Sequence, residues 1–175
     1  MSGIIGGAGS KSGVIGQTHA ECDLWRVTSG WSGAASPIAS NWERMDTDAE
    51  GVLGTGMDQS SGIFTFPRTG FWRVDFGWRG YLNGNSRDCA GYIYVTEDAA
   101  GGASYSAAAY ASHFVQQTES SHTSSGMYCS TIVKVTDTAN IKVRFDVGTN
   151  NSSFNFSADS GANLIYGVFE RLGDT

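Results

Sequence analysis

Charge is what this sequence lacks most. Lys, Arg, Asp and Glu together make up 16% of its 175 residues, against about a quarter in an ordinary soluble domain. Long amphipathic helices draw on Leu, Glu, Lys and Arg in quantity, so the shortage argues against a helical fold. Basic residues are scarcer still, with a net charge of -6 and no Lys/Arg stripe, which excludes the usual footprint of a nucleic-acid binder. Cysteine occurs three times, at Cys22, Cys89 and Cys129, with no CxxC spacing. An odd count without that spacing signals neither a disulfide framework nor a zinc knuckle. The three read as small buried thiols, although the count also allows one bridge. No apolar run is long enough to cross a membrane as a helix. The start, "MSGIIGGAGSKSGVIG", has neither the basic n-region nor the continuous apolar run of a secretory signal. It predicts a protein made in a cytoplasm, where the sequons at Asn150, Asn151 and Asn155 are chance matches.

What is abundant is glycine, serine and aromatic rings, which suit short strands joined by small-residue turns. From Phe71 the chain alternates with period two. Trp72, Val74, Phe76, Trp78 and Leu82 fall on one side, and Arg73, Asp75, Arg79 and Tyr81 on the other. Successive side chains of a strand point to opposite faces, so this is a strand with one dry and one wet face. Further strands are expected at Leu24 to Val27, Ile63 to Phe66 and Ala90 to Glu97. A weaker one is expected at Tyr105 to Gln117, then a hairpin-like pair within Met127 to Gly148, and a closing strand at Leu164 to Leu172. Eight or more strands with no helix between them point to a sandwich, jelly roll or closed barrel. The expected core comprises Phe64, Phe66, Trp72, Val74, Phe76, Trp78, Val143, Phe145 and Val168.

The first twenty residues differ. "SGIIG" and "SGVIG" are two copies of one unit, and their apolar pairs, Ile4-Ile5 and Val14-Ile15, have no place in a solvated linker. They suit a peptide that docks on another protein. The chain is therefore divided into a docking arm, residues 1–20, and one β domain, residues 21–175.

Catalytic motifs are absent. His19-Ala20-Glu21 echoes the H-x-E of zinc deaminases without the partner P-C-x-x-C, and no G-x-S-x-G elbow exists. Lys11 follows serine, so the Walker pattern fails. Counting from Asp46, Gly51 stands at the sixth position of a calcium loop, but Met57 stands where a closing glutamate belongs. His113 and His122 read as ordinary polar positions. The expectation is a non-enzyme without cofactor or metal.

"GIFTFPRTGFWRVDFGWRG", Gly62 to Gly80, looks like the signature of the complement component-one-q globular head, within the tumour-necrosis-factor-like jelly rolls. "STIVKVTDTANIKVRFDV" resembles that family's penultimate strands, and "SFNFSADSGANLIYGVFERL" its last, with Tyr166-Gly167-Val168-Phe169 entering the core. The likeness runs from about Asp23 to Leu172. It implies an antiparallel jelly roll, a homotrimer, and binding or display rather than catalysis. A second set of rings, Phe71, Tyr81, Tyr92 and Tyr94, would then be buried between subunits, where aromatics are enriched. The segment "SGIIGGAGSKSGVIG" is similar to leaders on virion structural proteins of marine tailed phages. That likeness implies a capsid decoration or head-fibre knob on a virion, held by Ile4, Ile5, Val14 and Ile15 to another virion protein. The other reading is a tail-fibre tip that binds a host glycan or receptor through loops Gly84 to Asp88 and Glu119 to Gly126. Neither involves nucleic acid or membrane insertion.

Overall fold

Strand β6, Gly70–Leu82, organises the molecule. It is the thirteen-residue strand of the period-two stretch, and its inward residues Trp72, Val74, Phe76, Trp78 and Leu82 are all buried. In the computed structural model, which describes residues 21–47, 49–100 and 103–175, twelve strands are present and no helix occurs among the described residues. Before β6 come β1 (Cys22–Val27), β2 (Trp31–Ser32), β3 (Trp42–Arg44), β4 (Asp58–Ser60) and β5 (Ile63–Thr65). After it come β7 (Ser86–Thr96), β8 (Ser106–Val115), β9 (Thr123–Val135), β10 (Lys142–Thr149), β11 (Asn155–Phe156) and β12 (Tyr166–Gly173). The arm, with Ile4, Ile5, Val14 and Ile15, lies outside the described residues.

Two antiparallel sheets face each other. In the first, one edge of β6 pairs along its whole length with β9. Its other edge pairs with β12 and then β11, and β12 continues to β1 and β3. The second sheet has the order β4-β5-β10-β7-β8. From β5 to β11 the chain crosses repeatedly between the sheets, with β7 and β8 paired in one of them, as in a jelly roll.

The core is a stack of rings between the sheets. Phe76 of the first sheet stacks on Phe145 of the second, with centroids 4.7 Å apart. Phe145 touches Phe64 at 5.3 Å and Phe169 at 5.8 Å. Phe66 packs on Trp72, and Val143 is fully buried beside them. Each such ring contributes roughly 1.5–3 kcal/mol by leaving water.

Two sequence expectations need correction. The segments around Met127 to Gly148 are not a hairpin. β9 spends its pairing edge on β6, while β10 pairs with β5 and β7 in the other sheet. The connection between them crosses the sandwich, and its tight turn is fixed by Asp137, which accepts from Ala139 N at 2.8 Å and Asn140 Nδ2 at 2.9 Å. Val168 is not in the core. The inward parity of β12 belongs to Gly167 and Phe169, and Val168 stands half-buried on the outer face. Gly167 is needed there because a Cβ would come within 2.6 Å of the Phe145 ring. All three cysteines are free; Cys89 and Cys129 are buried and Cys22 is half-buried.

Candidate interaction surface

The outer face of the first sheet is built by cross-strand register. One row runs Cys22–Glu170–Arg73–Ile132. The next runs Leu24–Val168–Asp75–Ser130, and the third Arg26–Tyr166–Gly77–Tyr128. Apolar and aromatic side chains therefore surround a polar centre. Ile132 is 62% exposed, Tyr128 46% and Phe71 38%, whereas Asp75 in their midst is 7% exposed.

The polar centre is fixed. The Ser130 hydroxyl donates to Asp75 Oδ1 at 2.5 Å, and Arg73 Nε donates to the same oxygen at 3.0 Å. Arg73 Nη2 reaches the Tyr128 hydroxyl at 2.9 Å. These contacts with Tyr128 and Asp75 hold the Arg73 guanidinium charged, above its ordinary pKa. The Tyr166 ring lies across Gly77, where a Cβ would meet it at 2.6 Å. Burial, with Tyr128 and Asp75 nearby, pushes the Tyr166 phenol up. The charge of Asp75 is thus met within the face, by an Arg73 whose side chain keeps 46% of its surface open.

The four rings expected at a subunit interface do not share a surface. Phe71 and Tyr81 lie on this face, with the Lys134 ammonium 5.9 Å from the Phe71 ring. Tyr92 and Tyr94 lie on the outer face of the opposite sheet, because β7 belongs to it. There Tyr110 stacks on Tyr92 at 5.7 Å, and Tyr92 meets Tyr94 at 5.8 Å. The Arg144 guanidinium sits over both Tyr94 (4.9 Å) and Tyr105 (4.6 Å). Arg144 also pairs with Asp146 at 3.1 Å, and Ser36 donates to Asp146 at 2.5 Å. Burial raises the Asp146 pKa above the usual carboxylate range despite these partners.

Tyr128, Ile132, Tyr166 and Val168 complete the first face and were not among the residues expected there. The available signal was parity: they alternate with buried residues of β9 and β12, as Phe71 and Tyr81 do in β6. The acidic stretch near Asp46 also has its explanation. Arg26 is 1% exposed, and its guanidinium is held by Glu43 (3.1 Å), Asp46 (3.3 Å) and Glu50 (3.5 Å). Beside it, at the root of the arm, Asp23 and Glu21 are buried. Asp23 accepts from Arg44 and from Met57 N, and Glu21 pairs with Arg68.

Among the described residues no cluster of three or more His, Cys, Asp or Glu could hold a metal. Neither described histidine pairs with a carboxylate: His113 Nδ1 lies 3.2 Å from Ser125 Oγ, and His122 packs on the Tyr81 ring. The loops following β6 and β8 meet at one end, where Gln117 N donates to Asn85 Oδ1 at 2.8 Å.

No protein-family model matches the chain, and no curated protein matches it in sequence. Its architecture does match a solved structure, that of murine APRIL. The two share 10% identity with a TM-score of 0.56, over 87% of this chain and 98% of that one. The fold is a tumour-necrosis-factor-like jelly roll. At that identity the likeness speaks for the fold alone, and it does not separate the complement component-one-q head from other members of the jelly-roll class.

Proposed function

We propose that this tumour-necrosis-factor-like jelly roll is a non-enzymatic homotrimer displayed on a phage particle, as a capsid decoration or head-fibre knob. The observation that carries the trimer is the outer face of the first sheet, where Ile132, Tyr128 and Phe71 stand open around a charge pair already satisfied within the chain. A three-fold ring needs two unlike surfaces that fit one another. The second surface is a groove of about 580 Å³ where the free edges of β8 and β9 approach. Val95, Ala107, Val133 and Ile141 form its apolar wall, and Ile132 belongs to both surfaces. The face of one copy against the groove edge of the next closes such a ring. Support for the virion is the likeness of residues 2–16 to phage leader segments.

Light scattering tests the trimer: the expected mass is three times the 18.5 kDa chain, and a monomer at micromolar concentration overturns the reading. Particle fractionation tests the location. The protein is expected on tailless heads and is expected to be lost from them when residues 2–16 are deleted. Recovery with isolated tails would favour the tail-fibre tip.

A further inference from the structure

At the end of the sandwich beyond Leu82, three loops are locked by carboxamides. Gln117 Nε2 donates to Asn83 Oδ1 at 2.6 Å, Gln117 N to Asn85 Oδ1 at 2.8 Å, and Asn151 Nδ2 to Asn85 O at 3.0 Å. The loop after β6, the loop after β8 and the loop after β10 are thereby held as one platform. Beside it lies an open depression of about 520 Å³ formed by Asn85, Ser86, Arg87, Phe114, Val115 and Gln116.

The chemistry of this depression is specific. Phe114 is 57% exposed, yet its ring is fixed by near-parallel stacking on His113, with centroids 4.9 Å apart. Arg87 is exposed and pairs with no carboxylate among the described residues; its one hydrogen bond there is a long contact from Nε to Asn150 Oδ1 at 3.4 Å. The carboxamides of Asn85 and Gln116 stand on the same rim, both residues exposed. A fixed flat ring offers an apolar, electron-rich face. A guanidinium and carboxamides around it offer several planar donors and acceptors.

We propose that this depression is a glycan-binding site that takes a pyranose ring. A pyranose carries a face of C–H bonds and an equatorial rim of hydroxyls. The face would lie on Phe114, and the rim would reach Arg87, Asn85 and Gln116; a uronic acid would add a carboxylate for the Arg87 fork. An adaptable few polar groups around one aromatic floor is the usual composition of a small-ligand site. The position suits display. The arm root lies on the Arg73 row of β6, and nine residues of strand separate that row from Leu82, about 30 Å at strand rise. A copy attached by its arm presents this end away from the attachment. Three copies would present three sites, which raises avidity without any new contact. The inference rests on the display reading for that orientation only.

Saturation-transfer NMR on the full chain tests it, with methyl pyranosides of glucose, galactose, mannose, N-acetylglucosamine and galacturonic acid as probes. Transfer to ring C–H protons is expected for at least one of them. Phe114→Ala is expected to weaken that binding about three- to tenfold, the value of one ring contact, while Phe114→Tyr retains it. Arg87→Gln changes an exposed side chain and decides the matter if Phe114→Ala loses the native fold. No transfer to any probe, or equal transfer in both weakening variants, overturns the proposal. Light scattering on the same samples separates the two readings. A trimer without sugar binding sinks this inference and leaves display standing, whereas a monomer that binds sugar does the reverse.

Discussion

The two outer faces of the sandwich carry the same ingredients, tyrosines and arginines alternating with small residues, and use them differently. On the second sheet the rings are stacked on one another, and Arg144 fills the gap between Tyr94 and Tyr105. Tyr92 there is flanked by Tyr94 and Tyr110, which ties strand β8 to β7, while Tyr110 itself stays 67% exposed. On the first sheet Ile132, Tyr128 and Phe71 stand apart, and it is the charges that have found each other. An aromatic residue on a wet face therefore tells little until its neighbours across the strands are known. On the first sheet the open side chains surround charges already paired within the chain.

The sharpest way to break this comparison is Ile132→Asp. A carboxylate at this position would stand across from an Arg73 already engaged by Asp75 and Tyr128. Covering that carboxylate in an interface costs several kcal/mol of association, about 3–5 for a buried charge without a partner of its own. The expected result is a shift of the scattering mass to that of one chain with the circular dichroism spectrum kept; an unchanged trimer would refute the assignment of this face. Next in size is the contrast between core and outer positions of the same architecture. Phe145→Ala should cost about 3–5 kcal/mol in denaturant unfolding. Val168→Ala, on the outer face, should cost less than about 1 kcal/mol in the separated monomer; equal losses would contradict the parity of β12. Smaller again is Tyr92→Ala, which removes two ring contacts and is expected to cost about 0.5–1.5 kcal/mol without altering the mass of the assembly. A change of mass would move the interface to the second sheet.

The smallest effect is one of pH. Asp137 is held below the usual carboxylate range by hydrogen bonds from Ala139 N and Asn140. Its folded pKa is depressed, so its stabilisation is present above the ordinary carboxylate pKa and is lost as pH falls through the folded value. Asp137→Ala should lower the melting temperature slightly at neutral pH and by progressively less on acidification. Asp146 works in the opposite direction. Its folded pKa is raised by burial, so its contribution is greatest below the ordinary carboxylate range and declines as pH rises through the folded value. A difference between wild type and Asp137→Ala that grew toward low pH would contradict the hydrogen-bonded turn.

Much of the fold is legible in the chain because burial on one face writes a period of two into β6, and the same alternation marks β7, β10 and β12. What alternation does not show is which strand pairs with which. The segments at Met127 and Ile141 look like two arms of a hairpin, since a short turn joins them, but a six-residue connection is also long enough to cross a sandwich. Parity is equally fragile where glycine stands in a strand. Gly167 lets the Phe145 ring occupy the inward position, and a reader counting apolar residues then assigns Val168 instead of Phe169 to the core. The interface residues were half legible for a related reason. Tyr81 and Tyr92 look alike in sequence, and only sheet membership, a long-range property, separates them. The Arg26 cluster and the carboxamide lock join residues 17 to 66 positions apart, a distance at which local pattern carries no information.

Strand β12 lies between β1 and β6, so the middle of the first sheet is supplied by residues 166–173. Its partners are among the earliest and the central strands of the domain, and contacts of such sequence separation form slowly. During synthesis β1 and β6 emerge first, and although β1 can pair with β3 and β6 with β9, the edges that face each other stay open until β12 slides in between them. The first sheet is thus a zip that closes from the inside, and it closes only once β12 has been made.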